Sequence, residues 1–76
     1  MKELVAFLAK SLVDRPELVE VHESDREDVV VEELRVAKDD LGKVIGKQGR
    51  TAKAIRTVLS AVAIQCHKKA RLEIIE

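Results

Sequence analysis

Apolar and polar positions alternate along this 76-residue chain with periods that change several times. In residues 2–13, Leu4, Val5, Leu8, Leu12 and Val13 recur at helical spacing, which predicts an amphipathic helix. Arg15-Pro16 ends it, because the residue before proline is driven out of the α region. "ELVEVHES" (17–24) alternates Leu18, Glu20 and His22 with Val19 and Val21, a short strand with one largely polar face. The polar cluster "SDRED" (24–28) reads as a hairpin loop, and the β-branched run "VVVEELRVA" (29–37) as the strongest strand.

The period then changes. Asp39 or Asp40 is placed to cap a short helix whose apolar patch is Leu41, Val44 and Ile45, and Gly46 stops it. A long helix follows over residues 50–67, with Ile55, Val58, Leu59, Val62 and Cys66 as one buried stripe. "ARLEIIE" (70–76) closes the chain as a strand. The order α-β-β-α-α-β implies an antiparallel hairpin and a last strand parallel to the second, reached through the two helices. That is an α+β, two-layer domain with a three-stranded mixed sheet and helices on one face.

Length allows one domain over 1–76, with a small core and no deep cleft. The single aromatic, Phe7, is expected in that core. No apolar run reaches a membrane span, and the N-terminal stretch lacks a secretory core, so a cytoplasmic protein without membrane insertion is expected. One cysteine, Cys66, excludes an internal disulfide framework.

Formal net charge is zero, but the average conceals a polarity. Residues 1–40 carry six Lys/Arg against twelve Asp/Glu, whereas residues 41–76 carry eight against two. Nothing acidic lies between Leu41 and Leu72. The second half therefore offers a positive face to an anionic partner.

All three glycines, Gly42, Gly46 and Gly49, fall inside "GKVIGKQG". Glycine permits positive φ and close approach of another chain, and the free N–H groups of the helix that follows favour an anion. Lys47, Arg50 and Lys53 surround the loop with charge. A mononucleotide P-loop is excluded: Gly42 and Gly46 are one residue too close, and Gln48 stands where Ser or Thr would ligate magnesium. The remaining bland reading is a glycine-capped hinge between helices, which leaves the concentration of charge unexplained.

"VIGKQGRTAKAI" resembles the signature of KH domains, an I-G-x-x-G loop between two helices, here Ile45-Gly46-Lys47-Gln48-Gly49 with Ile55 in the following core. The element order resembles the type II arrangement. "MKELVAFLAKSLVDRPE", "LGKVIGKQGRTAKAIRTVLSA" and "RLEIIE" extend the resemblance over essentially the whole chain, to small bacterial single-KH RNA-binding proteins of the KhpA type. It implies that Gly46, Lys47, Gln48 and Gly49 clamp about four nucleotides of single-stranded RNA. Arg50, Lys53 and Lys43 would hold neighbouring phosphates. Val44, Ile45, Ala52 and the strand around Leu34 to Val36 would wall the base groove. The chain departs from the pattern at "IQCHKKA" (64–70), where a glycine is expected before the last strand. With no Tyr or Trp, stacking on aromatics is unavailable and binding by one copy should be weak and sequence-tolerant.

The resemblance further implies an RNA-chaperone-like or post-transcriptional role, a KhpB (Jag)-type partner and a link to cell-shape and cell-wall control. A rival reading is a dimerisation module whose partner makes the main RNA contacts. Ala54, Val58, Ala61 and Gln65 form a small-residue line on the long helix, where a homodimer is expected. Other chemistry is thin. Cys66-His67 and His22 do not assemble a metal site, and Glu20, Glu23, Glu32 and Glu33 have no pocket for acid–base catalysis. No enzymatic activity, cofactor or metal is expected.

Overall fold

Pro16 and the three valines at 29–31 mark where the first two strands start. The computed structural model describes residues 1–75. In it, α1 (Lys2–Leu12) gives way to an extended Val13, and a separate 3₁₀ turn at Pro16–Leu18 follows, so β1 begins only at Glu20 and runs to Asp25. The expected strand start at residue 17 is thus corrected: the amides of Leu18 and Val19 bond to the Arg15 and Pro16 carbonyls and stay out of the sheet. β2 spans Val29–Arg35, α2 Leu41–Ile45, α3 Arg50–Ile64 and β3 Lys69–Ile75, with 3₁₀ turns at Lys38–Asp40 and Lys47–Gly49. Glu76, placed in the last strand from its sequence, lies outside the described residues.

The sheet order is β1-β2-β3, β1 antiparallel and β3 parallel to the central β2. This is the mixed sheet and α-β-β-α-α-β order expected of a type II KH domain. Strand alternation turns Val30, Glu32 and Leu34 towards the helices, opposite Asp25, Glu23 and Val21 of β1 and beside Ala70, Leu72 and Ile74 of β3. Leu34, Leu72, Val36, Val44, Val5, Ala9, Ile55 and Leu59 form the core. Burying each of the larger ones stabilises the fold by about 1.5–3 kcal/mol.

Three expectations about the core fail for helical reasons. Phe7 is 67% exposed, because it sits two residues, or about 200°, round α1 from the buried Val5–Ala9 edge. The buried stripe of α3 is Ala52, Ile55, Leu59 and Ala63, at spacings of three, four and four. Val58 and Val62 lie off that stripe and remain 44% and 37% exposed. Cys66 is exposed because α3 stops at Ile64, short of the expected residue 67.

That early stop has a defined geometry. The His67 amide bonds to the Ile64 carbonyl, and the Lys68 amide reaches back to the Ala63 carbonyl, both at 3.0 Å. His67 has φ 59°, so a histidine occupies the left-handed position where glycine is expected.

Asp40 does not cap α2 with its side chain. It is 2% exposed and accepts the Asp14 and Arg15 amides at 3.2 and 3.1 Å, tying the end of α1 to the start of α2. These amides follow the last turn of α1, and a buried carboxylate satisfies both.

Candidate nucleic-acid interface

The glycine loop is built by backbone conformation before any side chain contributes. Gly46 (φ 78°), Gln48 (φ 58°) and Gly49 (φ 73°) all have positive φ, and the Gly49 amide bonds to the Gly46 carbonyl at 3.0 Å. At Gly46 a second constraint acts. An added Cβ would overlap the Thr51 hydroxyl and sit 2.8 Å from the Thr51 backbone nitrogen. At Gly49 the space is open, and only the dihedral favours glycine.

This turn throws the side chains of Lys47 and Gln48 into solvent and leads directly into α3, whose N-terminus has no side-chain cap. Lys47, Arg50, Lys53 and Arg56 are exposed, and none pairs with a carboxylate among the described residues. Four unneutralised cations and a helix N-terminus at one end of the molecule make a local positive field.

Lys43 differs from these four in being paired. Its Nζ lies 3.0 Å from Asp14 and 3.8 Å from Asp40, and Asp14 holds its ammonium above the ordinary lysine value. Ile45 is 39% exposed beside the loop. The other expected groove walls are corrected: Val44 and Leu34 have no exposure, and Val36 and Ala52 only 4% each. They are core, because the helices pack their apolar faces against the sheet and close over these positions.

The open groove runs instead between α3 and the edge strand β3, lined by Arg56, Ala70, Arg71, Leu72 and Glu73. It has an apolar floor between two arginines, with one carboxylate as an acceptor. Arg56 and Arg71 could have been found from the acid-free stretch 42–71; the groove itself required the sheet order. On the wheel of α3, Lys53, Arg56 and Ile64 lie on the β3 flank, whereas Ala54, Val58 and Val62 lie on the other. Ala54 and Ala61 are exposed, as is Val58, so among the described residues nothing covers this line.

Among the described residues no cluster of three or more His, Cys, Asp or Glu could hold a metal ion. No helix is long and apolar enough to cross a membrane.

Comparison with known proteins gives a consistent answer. The family model described as "KhpA/KhpB, KH domain" matches residues 2–74. The chain is 60% identical over 75 residues to the RNA-binding protein KhpA of Clostridium perfringens, covering 99% of this chain and 100% of that one. It is 53% identical to the RNA-binding protein KhpA of Chlamydia muridarum, covering 100% and 97%. To the Treponema pallidum protein of the same name it is 51% identical, covering 99% and 94%.

Proposed function

The chain belongs to the KhpA/KhpB KH-domain family, and on that premise we propose that it binds single-stranded RNA as one KH domain, without catalysis. The observation that carries this reading is the loop. Three positive-φ residues expose Lys47 and Gln48 at the start of α3, beside Arg50 and Lys53 and next to a groove of matching charge. The names of relatives at 51–60% identity agree with it. Gly46 to Gly49 contact the sugar-phosphate backbone, Arg50 and Lys53 hold flanking phosphates, and bases lie over Ile45 into the groove of Ala70 and Leu72. Lys43, already paired with Asp14, positions α2 rather than RNA.

Such a domain serves an RNA-chaperone-like or post-transcriptional role in the cytoplasm. The exposed line of Ala54, Val58 and Ala61 supports a second surface, used for a homodimer or for a KhpB-type partner with its own KH domain. The link to cell shape and cell wall belongs to that partnership. Because this line lies on the α3 flank away from β3, pairing leaves the groove open. Titration of the isolated chain with a mixed-sequence single-stranded RNA, followed by amide NMR shifts, tests the reading. Shifts should centre on residues 45–53 and 70–73; no shift at saturating RNA would favour the reading in which the partner alone binds RNA.

A further inference from the structure

At the far end of α3 from the glycine loop, Ile64, His67, Lys68, Lys69 and Asp28 line a shallow depression. It adjoins the α3–β3 groove through the consecutive residues Lys69 and Ala70. The helix between the two ends is 15 residues long, or roughly 22 Å.

His67 is the unusual residue here. It holds φ 59°, where glycine would end the helix without strain. Nothing among the described residues uses its side chain. The ring is exposed and takes no part in the side-chain hydrogen bonds or ion pairs of the described residues. Histidine is among the residues that tolerate this region, so the backbone alone does not decide a role. Its neighbours do. Ile64, at 68% exposure, leaves apolar surface beside the imidazole. Lys68 is taken by Asp25, but Lys69 is exposed and forms no ion pair among the described residues. Lys69 borders this depression and Arg71 borders the neighbouring groove, both at the exposed edge of β3.

We propose that this corner is a second RNA contact, in which a base stacks on the His67 ring against Ile64 while Lys69 holds the adjoining phosphate. The proposal rests on the RNA-binding reading above and extends it beyond the loop clamp. An imidazole stacks on bases as the larger aromatics do, and this chain has no other exposed ring on the β3 flank. A strand that leaves the loop along the cationic groove arrives at this corner. Contact therefore depends on RNA length: a four-nucleotide RNA held at the loop leaves the corner empty, and a longer strand fills it.

The test compares synthetic mixed-sequence RNAs of four and twelve nucleotides on wild type, His67→Gly and Lys69→Ala, with circular dichroism to confirm folding. Glycine suits the left-handed position, so His67→Gly keeps the fold. Both variants should bind the four-mer as wild type does. His67→Gly should bind the twelve-mer roughly fivefold more weakly, and Lys69→Ala should reduce its log K against log[salt] slope by about 1. Unchanged twelve-mer binding in both variants overturns the corner contact while leaving the loop reading intact. Equal weakening for both lengths overturns it too, since the corner would then be part of the clamp. If wild type binds neither RNA, the RNA-binding reading fails and this inference falls with it.

Discussion

Glu23 and Glu32 face one another across the β1–β2 ladder, both turned towards the helices, and Glu32 is completely buried. Neither Glu32 carboxylate oxygen has a hydrogen-bond partner. Burial, and then the adjoining Glu23 carboxyl, push the Glu32 pKa up to about 8. Glu23 is held below its ordinary value by the Glu32 carboxyl, helped by the amino terminus 3.6 Å away and by the Lys2 amide, which donates to its Oε1 at 3.0 Å. The pair carries one proton at neutral pH. Like charges directly opposed in a sheet would otherwise repel.

This pair makes stability depend on pH in a defined sense. The folded state keeps the Glu32 proton up to about pH 8, whereas the unfolded chain releases it near the ordinary 4.5. The Glu32 contribution is therefore fully present below 4.5 and is lost as pH rises through about 8. Glu32→Gln, which keeps the shape and cannot ionise, should raise the melting temperature at about pH 9 by several degrees and flatten the decline that runs from 4.5 to about 8. Thermal melts from acid to alkaline pH measure this. An identical decline over that range in the variant would remove Glu32 as its cause.

The two loop glycines should respond differently to the same substitution. Gly49→Ala meets open space, so it costs only the left-handed conformation, about 1–2 kcal/mol. Gly46→Ala adds a collision with Thr51 to a larger conformational cost, because φ 78° with ψ 169° is a region essentially confined to glycine, and should lose clearly more stability or reshape the loop. Urea unfolding of both variants gives the comparison. Equal losses would mean that Thr51 moves aside freely.

Replacing both Lys47 and Gln48 by Asp should abolish RNA binding while leaving the circular dichroism spectrum intact. Both side chains are exposed, and Asp tolerates the left-handed conformation that Gln48 already adopts. A gel shift with single-stranded RNA reads the outcome; full affinity in the folded double variant would remove the loop from the interface.

Ala61→Arg should separate the two surfaces of α3. Sedimentation at tens of micromolar should find the wild type dimeric and the variant monomeric, since a two-fold pairing sets two charges close to the axis. RNA binding per chain should persist in the variant, because Ala61 lies away from the β3 flank. A monomeric wild type would leave this line for a different partner.

The amino-acid sequence determined those features that depend on residues a few positions apart. Pro16 ends α1, valine-rich 29–31 makes a strand, and Gly46 and Gly49 supply the dihedrals of a tight loop. The charge polarity is a property of the chain itself, and so the cationic half was legible. Packing decided which flank of each helix is buried, and there the reading erred. Phe7 and Val62 are apolar enough for a core, but Val5–Ala9 and Ala52–Ala63 are the edges that meet the sheet. Leu34 and Val36 could not wall a groove once the helices packed over them and buried both in the core. The groove at β3, the burial of Glu32 and the left-handed His67 each arise where separate segments meet. No local pattern carries that information, since it depends on which neighbours the tertiary fold brings to each residue.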